Sequence, residues 1–293
     1  MPITITAAGV AIMAEEIEKQ EIDKENALPI KYNKNYYVIQ ANELVRSRQD
    51  ELTLLEAKLI RLAIAQVLKE DTDLKTYTCN VSRLADFLGI SRQNIYKDVQ
   101  DLSINLMKKS IFIKNKEGKQ GKQNYKIFHW IDFVEYKDGD ITFKLSEHLK
   151  PYLVGLNELF TRYGYEEILR LPTNYSIRLY ELLYSYANLP FQTGGHTYTF
   201  ENEVLDKEEI LFTVDFLREY FNCKDKYPNT GDFIKRVIKA GIDDINENTV
   251  FPCSYRLIKE KNRITKISFK IGDWDTEAGA KIINNLRMKQ REG

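Results

Sequence analysis

Three cations, Lys235, Arg236 and Lys239, recur at the spacing that places side chains on one face of a helix. Guanidinium and ammonium groups in such a row suit DNA, because arginine pairs with base edges and both cations neutralise phosphates. A helix that reads DNA uses its first turns, so Asn229 and Thr230 join the predicted contacts. The alternative for this segment alone is an amphipathic surface helix with solvated charges, which is the commoner outcome.

The helix that must position these cations is predicted to begin after two chain breakers, Pro228 and Gly231. Asn229, Thr230 or Asp232 is expected to cap it. Its other face is apolar and is expected to pack on a core, with the positions Phe233, Val237, Ile238, Gly241, Ile242 and Ile245.

A second helix-turn-helix pattern occurs earlier in the chain. Gly89 is expected to end one short helix, and Ser91 is expected to cap the next. The apolar positions of that helix are Ile95, Val99, Leu102 and Leu106. The side chains at its start are the predicted equivalents of the later DNA contacts, namely Arg92, Gln93, Asn94 and Lys97.

Each of these helices is followed by a predicted β-hairpin with a basic tip. The first joins a strand at 109–114 to one at 125–135, and the second joins strands at 253–260 and 264–271. Total charge is zero, with 43 Lys and Arg against 43 Asp and Glu, but these blocks are locally cationic. The residues expected to hold backbone phosphates are Lys114, Lys116, Lys119, Lys122, Lys261 and Arg263.

The order of elements repeats: a buried helix, a short strand, a short helix, a basic-faced helix and a hairpin. The first buried helix starts at Thr53, with Glu56 at the capping-box position. The sequence therefore predicts an α+β protein made of two tandem winged helices, against the alternative of an ordinary α+β domain with a lysine-rich loop. The predicted divisions are a poorly ordered leader at 1–35, winged helices at 36–155 and 156–275, and a basic tail at 276–293.

Catalysis finds no support in the sequence. The phosphate-binding, acyl-transfer and zinc motifs GxxxxGK[ST], GxSxG and HExxH are absent, and His129, His148 and His196 stand apart. Cys79, Cys223 and Cys253 lack metal-ligand spacing and suit buried thiols in a reducing compartment. We expect a cytoplasmic protein that is not an enzyme and that needs no cofactor or metal.

Several segments resemble one known family, the iteron-binding replication initiator (Rep) proteins of theta-replicating plasmids, which are built as tandem winged helices. The resemblance covers residues 36–272. It rests on the segments 41–44 and 52–59 (ANEL, LTLLEAKL), 175–183 (YSIRLYELL), 233–238 (FIKRVI) and 244–247 (DINE). The entry to the later reading helix has fewer arginines than is usual in that family.

The resemblance implies a protein that binds directly repeated origin DNA as a monomer, helps to melt the adjacent duplex and brings in the host replication initiator and replicative helicase. It also implies a homodimer that represses its own promoter at an inverted repeat and so takes part in plasmid copy control. In that picture the first domain carries the dimer interface and phosphate contacts, and the second supplies the main recognition helix. Two other hypotheses are a dedicated winged-helix transcription repressor and a scaffold protein with solvated basic hairpins.

Overall fold

A computed structural model describes residues 27–114, 124–187, 199–200, 203–204 and 209–272. Elements up to Arg170 form what we call the first half: β1 (Leu28–Pro29), β2 (Tyr37–Ala41), α1 (Asn42–Val45), β3 (Arg48–Gln49), α2 (Leu54–Ile64), β4 (Thr76–Asn80), α3 (Val81–Leu88), α4 (Arg92–Lys108), β5 (Ser110–Lys114), β6 (Tyr125–His129), β7 (Ile131–Lys137), β8 (Asp140–Leu145), α5 (Lys150–Leu153), β9 (Phe160–Gly164) and α6 (Tyr165–Arg170). The remaining elements form the second half: α7 (Asn174–Ala187), β10 (Thr199–Phe200), β11 (Glu203–Val204), β12 (Glu209–Thr213), α8 (Val214–Tyr220), α9 at 230–248, β13 (Cys253–Glu260) and β14 (Arg263–Ile271).

Local capping residues fix the helices of the first half. Thr53 and Glu56 form the predicted capping box at the start of α2, in which Thr53 Oγ1 accepts from Glu56 N and Glu56 Oε2 accepts from Thr53 N. Gly89 ends α3 with φ of 69°, as predicted, a backbone conformation that glycine adopts without strain. Ser91 precedes α4, but its side chain makes no capping hydrogen bond.

The described strands of the first half form three sheets, and the predicted strand at 125–135 is divided between two of them. β6 pairs with β5, whereas β7 pairs with β8 in a sheet of order β1-β4-β8-β7. The break falls at the fully buried Trp130, whose N donates to Lys109 O and whose O accepts from Ser146 N. The chain therefore passes from one sheet to the next at Trp130, and these two hydrogen bonds hold it there.

Two predicted boundaries differ from the structure, each because of a pairing distant in sequence. Leu28–Pro29, placed in the poorly ordered leader, pairs in parallel with β4. β9, placed in the second domain, pairs with β2, so the first half extends to Arg170. The rest of the leader (1–26) and the tail at 276–293 lie outside the described residues.

The second half has the arrangement of a winged helix. Its sheet has the order β12-β14-β13, and β13 and β14 form the hairpin predicted at the end of the chain. α9 runs without interruption through Thr230–Phe233, a π-helical stretch at Ile234–Lys239, and Ala240–Asn248. The first half shares the helix, strand, helix, helix and hairpin order, so the predicted α+β fold with two winged helices is confirmed.

A buried ion pair joins the two halves. Glu181 of α7 accepts from Nε and Nη2 of Arg61 of α2 at 2.9 and 2.8 Å, and both side chains are fully buried. The same carboxylate accepts from Tyr163 of β9 and from Gln40 of β2. A charged pair with this many hydrogen-bond partners fixes how the two halves meet.

Further contacts between the halves, some buried and some exposed, surround this pair. Arg178 of α7 donates to the carbonyls of Val45 and Ser47. Among the described residues, exposed ion pairs between the halves join Lys114 to Glu219 and Lys226 to Glu51. None of the helices in the described ranges combines the length and apolar character that crossing a membrane requires.

Candidate nucleic-acid interface

The start of α9 is held by the side chain of Asn229. This residue has extended backbone angles, and its Oδ1 accepts from Gly231 N at 2.7 Å. Of the three predicted capping residues, Asn229 is therefore the cap. A Cβ added at Gly231 would lie 3.2 Å from that oxygen, so the small residue leaves room for the capping side chain.

The apolar face of α9 is buried as predicted. Phe233, Val237, Ile238 and Ile245 are all fully buried. Ile234 is buried as well, a position that the predicted stripe did not include. Gly241 lets the helix approach α7 closely, because a Cβ there would lie 2.9 Å from Cδ2 of Leu179. The helix is thus seated firmly along one side.

The opposite face of α9 presents cations at its first turns. Lys235 and Arg236 are exposed, and in the described part of the chain neither has an ion-pair partner. Lys239 instead pairs with Asp243 at 2.5 Å, and this hydrogen bond raises the pKa of Lys239. The uncompensated positive charge therefore lies in the part of the helix nearest its N-terminus, together with exposed Asn229 and half-buried Thr230.

The β13–β14 hairpin places two further cations at its tip. Lys261 and Asn262 have φ of 46° and 65°, the two left-handed residues of a tight hairpin turn. Lys261 and Arg263 are both exposed. Half-buried Tyr255 of β13 lies near Lys239 of α9: burial raises the pKa of Tyr255, and the ammonium of Lys239 opposes that rise. The hairpin therefore adjoins the cationic helix.

In the first half, the predicted DNA contacts at the start of α4 are placed less favourably for binding than those of α9. Arg92 at the start of α4 is exposed but forms a two-point ion pair with Asp86, with atoms 2.8 and 2.5 Å apart. Gln93 is exposed. Asn94 and Lys97 lie on α4, but their side chains are outside the described part of the molecule. A contact between Arg92 and DNA requires its pair with Asp86 to open.

In the hairpin of the first half, the predicted phosphate contact Lys114 faces the second half. Lys114, the last residue of β5, pairs with Glu219 of α8 at 2.5 Å. No local pattern predicts this pair, because its members lie in different halves. Lys116, Lys119 and Lys122 fall in the segment 115–123, outside the described residues.

No group of three or more His, Cys, Asp and Glu residues is arranged to hold a metal ion among the residues that the structure describes. The three cysteines, Cys79, Cys223 and Cys253, are free and buried. Burial raises the pKa of the Cys79 thiol to about 12 and that of Cys223 to about 11. Such thiols stay protonated and unreactive at neutral pH.

Comparisons with known proteins agree with this architecture. One curated relative is "Replication initiation protein" of Escherichia coli, 30% identical over 150 residues that make up 50% of this chain and 46% of the relative. The match thus spans about half the length of that relative. The solved structure of the Pi initiator protein in complex with iteron DNA matches with a TM-score of 0.57 at 18% identity, covering 82% of this chain and 98% of the Pi chain. That likeness supports the shared fold.

Two family models match the chain in succession. The model described as "Initiator Replication protein, WH1" matches residues 37–184, which run from β2 into α7. The model described as "Initiator Rep protein, WH2" matches residues 213–271, which contain α8, α9 and the β13–β14 hairpin. The first model alone matches half of the chain, and this protein therefore belongs to the family of initiator replication proteins.

Proposed function

We propose that this protein starts theta replication of a plasmid by binding directly repeated origin elements, iterons, sequence-specifically through α9. The observation that carries the proposal is that Lys235 and Arg236 are exposed and have no ion-pair partner among the described residues, on a helix whose opposite face is buried. A helix seated in this way presents its first turns to the major groove. The complex of the Pi initiator protein with iteron DNA supports the kind of DNA proposed.

The proposed roles follow the position of each side chain. Asn229, Thr230, Lys235, Arg236 and Lys239 bind in the major groove and to its phosphates, and Lys261 and Arg263 of the hairpin hold the backbone alongside. In the first half, the side chains at the start of α4 and in the hairpin make supporting contacts, mainly to phosphates; these are Arg92, Gln93, Asn94, Lys97, Lys114, Lys116, Lys119 and Lys122.

Replacing Lys235 and Arg236 together by alanine tests the proposal. A base-reading contact is worth about 1–3 kcal/mol, so losing two lowers affinity for the preferred duplex on the order of 100-fold. The measurement is a gel shift on the DNA upstream of the gene, at several salt concentrations. Lys34→Ala with Lys69→Ala removes the same charge from exposed sites outside the candidate interface and is the control. Equal binding by wild type and the Lys235/Arg236 variant would show that α9 is not the reading helix.

The hairpin cations are expected to behave differently from those of α9. Lys261→Ala with Arg263→Ala should weaken binding to all duplexes alike, because phosphate contacts carry no sequence information. The slope of log affinity against log salt should become shallower by about 2, since each lost phosphate contact removes about 1. Competition between preferred and random duplexes checks this, and a changed base preference would contradict it.

A plasmid-maintenance assay distinguishes a replication initiator from a dedicated repressor. A plasmid whose sole origin is the DNA next to this gene should replicate with the wild-type protein and be lost with the Lys235/Arg236 variant.

We propose that a homodimer formed through the first half also represses the gene's own promoter, and that the host replication initiator and replicative helicase bind the origin complex. Repression in a reporter strain without plasmid maintenance would favour a dedicated repressor.

A further inference from the structure

α9 carries an acid among its reading cations. Asp232 lies in the first turn, exposed, three residues before Lys235 and four before Arg236. Side chains at these spacings are neighbours on a helix and commonly pair. In the described part of the chain, however, neither pair forms, whereas the equivalent pair of Lys239 with Asp243 closes at 2.5 Å.

The capping role at this helix start is already filled. Asn229 caps the helix through Gly231 N, and Asp232 makes no hydrogen bond among the described residues. A carboxylate near the phosphates of DNA is repelled, so an acid on a DNA-binding face is unfavourable unless it has a donor to accept from. In the major groove the base that offers a lone amino donor is cytosine, through its N4 group.

We propose that Asp232 is a specificity-determining residue that accepts a hydrogen bond from the N4 amino group of a cytosine in the recognised sequence. This inference rests on the proposed function. Arg236, one turn further along the same face, suits guanine, whose O6 and N7 accept from a guanidinium. Neither the carboxylate nor the guanidinium is paired within the described ranges, and together they give α9 two base contacts of opposite polarity.

Selection from a pool of random-sequence duplexes tests the assignment, with wild-type protein, Asp232→Ala and Asp232→Asn compared. Wild type should enrich cytosine at one position. In Asp232→Ala the enrichment of cytosine at that position should fall on the order of tenfold. The same variant should bind unselected duplex more tightly, because a negative charge has been removed. Asp232→Asn should change the preference to adenine, since an amide pairs with adenine N6 and N7. Glu247→Gln, which removes an exposed acid near the other end of α9, should select the wild-type sequence.

Identical base preferences for wild type, Asp232→Ala and Asp232→Asn would overturn the inference while leaving the proposed function standing. A lower thermal midpoint with unchanged preferences would give Asp232 a structural role only, and would equally overturn it. If wild type itself enriched no sequence from the pool, the proposed function would fail first. A preference that disappears in Asp232→Ala and changes base in Asp232→Asn supports direct reading by this side chain.

Discussion

Replacing Glu181 by alanine is expected to lower the free energy of unfolding by roughly 3–5 kcal/mol, because it leaves the charge of Arg61 buried without a partner. Both side chains are fully buried and are joined by two hydrogen bonds between α2 and α7. Burial alone would raise the pKa of the Glu181 carboxyl, but Arg61 outweighs it and, with Arg178 and Tyr163, holds that pKa below its usual range. The ionised form is therefore the stable one.

Denaturant unfolding measures this loss, and an exposed pair supplies the control. Glu166 pairs with Arg170 on the surface of α6 at 2.7 Å, and Glu166→Ala should cost no more than about 1 kcal/mol. Replacing both members of the buried pair, by Arg61→Met with Glu181→Leu, should cost less than Glu181→Ala alone, since no buried charge is stranded. Equal losses for Glu181→Ala and Glu166→Ala would contradict the burial described.

The same carboxylate predicts the direction of the pH response. Because its folded-state pKa is depressed, the stability it contributes is fully present above the pKa of the unfolded chain. That contribution is lost as pH falls through the lower, folded-state value. The stability difference between wild type and Glu181→Gln should therefore shrink in acid and stay constant near neutrality.

Phe233→Ala should weaken DNA binding although its ring faces away from the exposed cations. The ring is fully buried, with the guanidinium carbon of Arg218 4.8 Å from its centroid. Truncating a buried phenylalanine costs roughly 3–5 kcal/mol, and this one holds the turn of α9 that carries Lys235 and Arg236. Unfolding in denaturant and binding to the preferred duplex, both at a temperature where the variant stays folded, check the two effects.

Phe233→Leu is the matched control for that substitution, because it keeps an apolar side chain in the site. It should lose less stability and should retain most of the affinity for DNA. Full affinity in a folded but destabilised Phe233→Ala protein would show that the position of α9 does not depend on this anchor. Loss of stability without loss of binding would then restrict Phe233 to a packing role.

The structural features that the sequence predicted well depend on residues that are close together in the chain. The capping box of Thr53 and Glu56, the left-handed Gly89, the apolar face of α9 and the β13–β14 hairpin all depend on residues within a few positions. Spacing and side-chain type are sufficient for such features. This is why the fold class and the candidate reading helix could both be derived from the sequence.

What the sequence did not predict depends on pairings that are distant in the chain. β9 joins the first half only because β2 lies beside it, and the strand after β6 changes sheet at buried Trp130. Lys114 was predicted as a phosphate contact because it is a lysine near a basic loop, but its ammonium lies against Glu219 of the other half. Periodicity cannot show which distant carboxylate a surface cation meets.

The contacts between the halves differ in how strongly they respond to salt. The pair of Arg61 and Glu181 has no contact with solvent, so dissolved ions hardly screen it. Lys114 with Glu219 and Lys226 with Glu51 are partly exposed, so their attraction weakens as ionic strength rises. In concentrated salt the joint between the two winged helices is consequently held by its buried contacts, those of Glu181 with Arg61 and of Arg178 with the carbonyls of Val45 and Ser47.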